Sequence, residues 1–224
     1  MKSAVIFFHS NIKALYKDRW IEKCIASIRD QTMQDFDVFE INYSGDNEML
    51  CEIPDHEHYF FTRKLDNHIQ AMNFILNKVF SMGYDVAFNT NIDDYYHPRR
   101  FEKQLALINK GFDIVSSNFN YISDQGGVDG IFRAMDMCRH GDIRINLIRG
   151  HNVIAHPCVA YSRQFWDNGF RYNESLIGSE DLDLWKRSID HHRFYISPEY
   201  LLFYRIHDNQ ITKEYPIHQK KYGM

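Results

Sequence analysis

The first half of the chain alternates between two hydrophobic patterns. Ala4 to Phe8 is an uninterrupted apolar run, which predicts a strand buried on both faces. After the polar break His9-Ser10-Asn11, the residues Trp20, Ile21, Cys24, Ile25 and Ile28 recur at helical spacing and end near Gln31. Phe36, Val38, Phe39 and Ile41 predict a second strand, which runs into the turn-rich segment Asn42 to Asn47. Tyr59 to Thr62 predicts a third. Ile69, Met72, Phe74, Ile75, Val79 and Phe80 then mark a long helix halted near Gly83. Val86-Ala87-Phe88 is a fourth short strand that delivers the chain to Asn91-Ile92-Asp93-Asp94. Pro98 opens a helix carrying Phe101, Leu105 and Leu107 and closing at Gly111, after which Ile114-Val115 begins a fifth strand.

Strand and helix in alternation, joined by short connections, predict an α/β fold with a mainly parallel sheet and helices on both faces. Sheets of that kind take ligands at the carboxyl ends of their strands, and the polar breaks above are those ends. From about Asn120 to Gly150 the pattern loosens, with glycines at 126, 127, 130, 141 and 150, and reads as an insertion with one helix around Phe132 to Cys138. Val153 to Tyr161 predicts a strand. Ser179 starts a helix carrying Leu182, Leu184, Trp185 and Ile189, and Leu201 to Ile206 predicts a last strand before a polar tail. No repeat or linker interrupts the 224 residues, so the expectation is a single domain over 1–224, with 1–119 and 120–224 as its two halves.

Composition narrows the classes. A net charge of −4 argues against general nucleic-acid binding, which needs a basic face for phosphates. Cys24, Cys51, Cys138 and Cys158 are far apart and form no zinc-ligand spacing, so they read as reduced thiols. The apolar start is too short for a signal peptide and no stretch is long enough to span a membrane. The protein is therefore expected to be soluble and cytoplasmic.

Three clusters can carry chemistry. Asp93 and Asp94, on the loop after a buried strand, can hold a divalent cation and leave positions for phosphate oxygens; the plain alternative is a helix-capping turn. Ser179-Glu180-Asp181-Leu182-Asp183 places acids in a first helical turn, where the helix dipole favours them and keeps a carboxylate ionised, as a base must be. Tyr204-Arg205-Ile206-His207-Asp208-Asn209 ends a late strand, and His207 is a candidate third metal ligand or an ordinary polar residue. His191 and His192 read as solvent-facing. Tyr95, Tyr96 and Trp185 are candidates to stack on a ligand, with Trp185 better explained as core.

In their order along the chain these pieces resemble the family-2 glycosyltransferases of GT-A fold. Phe8 to Asn11 resembles that family's Pro-Thr-Tyr-Asn-like element, and Cys24 to Thr32 its Ser-Ile-x-x-Gln-Thr helix end. Phe39 to Asn47 resembles its Val-Asp-Asp-x-Ser-x-Asp segment, and Asn67 to Asn73 its Ala-Arg-Asn helix start. Asn91 to Asp94 is similar to the Asp-x-Asp-Asp metal motif, Glu180 to Arg187 to Glu-Asp-x-Asp-Leu-Trp-x-Arg, and Tyr204 to His207 to Tyr-Arg-x-His.

The resemblance implies a GT-A sheet with a small antiparallel portion and an inverting, metal-assisted transfer from a nucleoside-diphosphate sugar, UDP-linked by expectation. The acceptor would be a hydroxyl of a glycan or of a protein- or lipid-linked molecule. It implies Asp181 as general base, Glu180 and Arg205 as substrate contacts, and His9, Asn11, Asn42 and Asp93 at the nucleotide. Asp93, Asp94 and His207 would hold the cation, and a mixed carboxylate and imidazole set suits Mn²⁺ better than Mg²⁺. Asn42 and Asn91 stand where the family usually has Asp, which bears on base preference and metal affinity. Two other readings stay open: a non-catalytic nucleotide-sugar-binding module, and a sugar nucleotidyltransferase, which would want a glycine-bearing loop after the first strand.

Overall fold

A computed structural model describes residues 1–50, 53–134, 137–208 and 210. Cys51, Asn209 and the polar tail after Gln210 lie outside the described residues.

The expected alternation is present. In chain order the elements are β1 (Ser3–His9), α1 (Ile12–Leu15), α2 (Asp18–Arg29), β2 (Asp37–Asn42), β3 (His58–Thr62), α3 (His68–Ser81), β4 (Val86–Thr90), β5 (Tyr95–Tyr96) and α4 (Arg100–Ile108). The second half adds β6 (Ile114–Ile122), β7 (Val128–Phe132), α5 (His140–Ile148), β8 (Ala160–Ser162), α6 (Arg163–Asp167), α7 (Glu180–Ser188) and β9 (Phe194–Arg205). Among the described residues nine strands form one sheet in the order β3-β2-β1-β4-β8-β6-β9-β5, with β7 paired to β6.

β1, β2, β3 and β4 are mutually parallel, and β6 runs parallel to β9. The short β8 lies antiparallel to both β4 and β6, so β6 and β9 point the same way as β1. β1, β2, β4, β6 and β9 therefore all end at one edge of the sheet, the edge at which α/β folds gather ligands. β1 shows why its apolar run is continuous. Ala4 and Ile6 enter the core on one face with α3 residues such as Ile69, Met72 and Ile75, while Val5 and Phe7 enter the other with Cys24, Ile25 and Phe101.

The second half departs from the sequence expectations. The stretch 120–150 is not loose: β7 folds back on β6 as a hairpin, and the helix lies at His140–Ile148. Phe132 is the end of β7, and none of the described residues from 132 to 138 is helical. Val153 to Tyr161 is largely not a strand; a 3₁₀ turn at His156–Cys158, containing Pro157, precedes the three-residue β8. Ser179 stands at the N-cap of α7, but its hydroxyl is buried with no hydrogen-bond partner, so it does not cap by its side chain. Asn67 does cap α3, accepting from the amides of Ile69 and Gln70. His191 is exposed, but His192 is buried beside Asp113, contrary to a solvent-facing role, because its ring packs against Phe165 and Phe170. No helix among the described residues is long and apolar enough to cross a membrane.

Candidate active site

A cleft of about 550 Å³ opens at the edge where β1, β4, β6 and β9 end. Its walls carry acids and imidazoles from four separate parts of the chain: Asp93 after β4, His207 after β9, Glu180 and Asp181 on α7, and His68 at the start of α3.

The first acidic pair is placed by β-pairing. Tyr95 and Tyr96 form the two-residue β5 opposite Phe203 and Leu202, which swings the loop after β4 across to the end of β9. Asp93 then faces the cleft with its Oδ2 2.8 Å from His207 Nε2. Asp94 points the other way and is 1% exposed. Its Oδ1 accepts the Arg205 amide at 2.8 Å, and its Oδ2 is buried without a partner. Burial, and then the charge of Asp93, push the Asp94 carboxyl well above the usual carboxylate range.

Arg205 locks this arrangement. Its Nε donates to the Asp93 carbonyl at 2.7 Å, and its Nη1 donates to the carbonyls of Ser123 and Asp124, both at 2.9 Å. A guanidinium so occupied and 3% exposed is not a substrate contact. Arg205 is instead the clamp that joins the acidic loop to the β6–β7 turn.

The second acidic pair sits at the N-terminus of α7. Glu180 Oε1 lies 2.9 Å from His68 Nε2, and its Oε2 accepts the Gly178 amide at 2.6 Å. Burial is the largest single influence and raises the Glu180 carboxyl, but the His68 hydrogen bond and charge, a backbone amide and the His156 charge together outweigh it and leave Glu180 below the usual range. Asp181 accepts from Asn152 Nδ2 at 2.8 Å and from the Leu182 amide at 2.7 Å. Enclosure by protein, then the neighbouring Glu180 charge, push its carboxyl up to about 7. The expectation that the helix dipole keeps Asp181 firmly ionised is therefore corrected: burial and a like charge outweigh the dipole, and the group is poised near neutrality.

Other predicted residues lie elsewhere. His9 is 1% exposed, and its Nε2 bonds Glu40 Oε1 at 2.7 Å, so it braces β1 against β2 rather than touching a nucleotide. His58 bonds the other oxygen of Glu40 at 2.8 Å. Asn42 is fully buried; its Nδ2 donates to Asp46 and to the Glu48 carbonyl, and its Oδ1 accepts from Ser44. Both termini of the amide are thus used to shape the turn after β2. Asn11 is exposed in a left-handed conformation (φ 50°) ahead of α1. Tyr96 and Trp185 are core, and Tyr95 stacks on Phe203 at 4.3 Å, so none of the three lines the cleft.

Among the described residues no three His, Cys, Asp or Glu side chains come close enough to hold a metal ion by themselves. The predicted set of three is reduced to the pair Asp93 and His207. That pair still fits a cation whose remaining ligands come from a diphosphate and water. It offers a carboxylate and an imidazole on the cleft wall, and the buried His207 Nδ1 has no partner of its own.

Several cleft residues escaped the sequence reading. His156 bonds the Tyr172 hydroxyl at 2.9 Å, and burial pushes its imidazole down to about 4, so it is neutral at ordinary pH. His68 is 112 positions from Glu180, and no local pattern pairs them. A helix start next to a capping Asn67 was the one available signal for His68.

No protein-family model matches the chain. It is 26% identical to the O-antigen biosynthesis glycosyltransferase WbnJ of Escherichia coli, covering 95% of this chain and 85% of that protein. An uncharacterized glycosyltransferase of Methanocaldococcus jannaschii is 25% identical, over 91% of this chain and 73% of that one. Both of these sequence relatives are glycosyltransferases. Among solved structures, S. aureus TarS 1–349 in complex with UDP superposes with a TM-score of 0.67 at 14% identity, over 93% of this chain. The mannosyltransferase PcManGT from Pyrobaculum calidifontis, in complex with GDP-Man and Mn²⁺, gives 0.64 at 11% identity over 99% of this chain. The chain spans 61% of the length of each of those two. The mixed, mostly parallel sheet flanked by helices is thus the GT-A arrangement, and the chain resembles glycosyltransferases of that type.

Proposed function

We propose that this glycosyltransferase-like chain transfers one sugar, with inversion, from a nucleoside-diphosphate donor to an acceptor hydroxyl, using Asp181 as general base. The observation that carries this reading is that Asp93–His207 and Glu180–Asp181, brought from separate parts of the sequence, face one cleft at the carboxyl edge of the sheet. Asp181 has a carboxyl near 7 and two fixed hydrogen bonds, which leave lone pairs for an acceptor proton. As the acceptor oxygen attacks the anomeric carbon, Asp181 takes its proton and the bond from that carbon to the diphosphate breaks on the opposite face. One displacement at one centre inverts configuration.

Asp93 and His207 would hold a divalent cation, and their mixed chemistry favours Mn²⁺ over Mg²⁺. When bound, such a cation neutralises charge on the leaving diphosphate. Glu180, held by His68 and the Gly178 amide, orients the sugar beside Asp181. The ends of β1 and β2, with Phe8 and Tyr43 on the cleft wall and the exposed Asn11 nearby, suit a nucleoside. UDP-sugars are the first donors to try, TarS having been solved with UDP; GDP-sugars come next. Residues 1–224 act as one domain in this reading, 1–119 serving the donor and 120–224 the acceptor and the chemistry.

The test is a donor screen with UDP-, GDP- and dTDP-sugars and Mn²⁺, following release of free nucleoside diphosphate in wild type and Asp181→Asn. Release from one donor, abolished by chelation and by the substitution, is the expected result. Absence of any nucleotide binding would overturn the proposal. Metal-dependent binding without turnover on any donor and acceptor pair would leave a nucleotide-sugar-binding module.

A further inference from the structure

The cleft has an aromatic wall that the polar chemistry above does not use. Tyr121 and Tyr204 are paired across β6 and β9, directly opposite in register, so their side chains project from the same face at the carboxyl ends of the two strands. Their rings meet edge to face at 6.0 Å between centroids. Phe119 lies behind both, at 5.0 Å from Tyr121 and 5.4 Å from Tyr204, and is itself stacked on Phe132 of β7 at 4.6 Å. Phe119 is 8% exposed, whereas Tyr121 and Tyr204 are half-buried and open to the cleft.

A wall of this build differs from core. Trp185 and Tyr96 complete the interior, but Tyr121 and Tyr204 line a cavity that also carries acids, imidazoles and side-chain amides. An aromatic face beside hydrogen-bonding groups suits a ligand with an apolar side and a polar rim. A pyranose is such a ligand: its axial C–H bonds form an apolar face and its hydroxyls ring the edge. A nucleobase fits this place less well. β6 is three strands from β1 across the sheet, roughly 14 Å at about 4.8 Å per strand, while β1 and β2 end beside Phe8 and Tyr43. One flat ring cannot touch both places.

We propose that Tyr121 and Tyr204 form a platform for a pyranose ring, backed and held rigid by Phe119 and Phe132. The platform rests on the glycosyltransferase reading above, and it places a sugar beside Asp93 and His207, on the wall formed by the second half of the chain. The sugar is either the acceptor's terminal residue or the donor's own.

Saturation-transfer difference NMR with millimolar methyl pyranosides (glucoside, galactoside and N-acetylglucosaminide) tests this, in the presence of Mn²⁺ and UDP or GDP. At least one pyranoside should bind the wild type with its axial C–H protons most strongly saturated, a readout that needs no variant. Tyr121→Leu and Tyr204→Leu keep apolar bulk but lose the ring, and each should weaken binding about three- to ten-fold. Tyr121→Phe should bind as wild type. Persistence of the signal when a nucleotide-sugar replaces the nucleotide assigns the platform to the acceptor, and displacement assigns it to the donor sugar. The proposal is overturned by no pyranoside binding, by uniform saturation around the ring, or by Leu variants that bind as wild type. It is equally overturned if Phe and Leu lose binding alike. Calorimetry of UDP and GDP on the same samples separates the two readings, since absent nucleotide binding would count against the glycosyltransferase and not against the platform.

Discussion

The two acidic pairs share one plan and differ in a single respect. In each, one carboxylate has an imidazole partner, Asp93 with His207 at 2.8 Å and Glu180 with His68 at 2.9 Å. In each, the second carboxyl has no imidazole partner and is raised by enclosure and by its neighbour's charge. Asp94 is sealed beneath the loop and takes the Arg205 amide, while Asp181 reaches the cleft. Adjacent acids therefore do not carry one role each by identity. The backbone that turns Asp94 inward makes it an anchor, and the helix start that leaves Asp181 at the cleft makes it available to a substrate proton.

The comparison can be broken most decisively at Asp181. Asp181→Asn should lower turnover about 10²–10⁴-fold while leaving nucleotide affinity within about two-fold, measured by product release and calorimetry. Asp93→Asn should instead abolish the metal-dependent part of nucleotide binding. Equal losses of nucleotide binding in both variants would show that the two pairs are one functional unit. Next in size is the clamp. Arg205→Met strands three carbonyls and the loop that carries Asp93 and Asp94, and should cost about 3 kcal/mol, roughly 6–12 °C in Tm.

A smaller effect lies in the pH profile. With its carboxyl at about 7, Asp181 loses its capacity as a base when it is protonated, so kcat should fall as pH drops through 7. Glu180→Gln removes the neighbouring charge that helps raise Asp181, and the acidic limb should move to lower pH. A limb that stays in place would separate the limb from Asp181. The smallest effect is on stability. Because the folded-state carboxyl of Asp181 is raised above its unfolded value, the folded protein binds the extra proton between about pH 4 and 7, and stability falls as pH rises through that window. Asp181→Asn should thus raise Tm at pH 8 by about 2–4 °C, on the order of 1 kcal/mol, and have no effect near pH 4.

Much of the first half was legible because its signals are local. The run Ala4 to Phe8 has no polar position, since β1 meets core on both faces, and Asn67 announces α3 by capping it. The second half was harder because tertiary contacts overrule local preference there. Phe194 to Ser197 pairs with β6, yet the charged Arg193 and Glu199 around it hid the start of β9. Val153 to Val159 has strand-like composition but spends it on the turn around Pro157, where the Asn89 side chain donates to the His156 carbonyl. The motif residues themselves were found, and their roles were not always the expected ones. His9, Asn42 and Arg205 satisfy other parts of the protein, which only a hydrogen-bond partner 31, 4 or 112 positions away reveals.

By itself the sequence determined the α/β alternation, the strand ends that border the cleft, and the acid and imidazole residues available there, because periodicity and turn chemistry act over a few positions. Tertiary structure decided which carboxyl of each pair faces the cleft, which histidine stands beside it, and which tyrosines form a wall. Those outcomes depend on strand order and register, which bring together residues more than 80 positions apart, and on burial, which sets whether a carboxyl holds its proton.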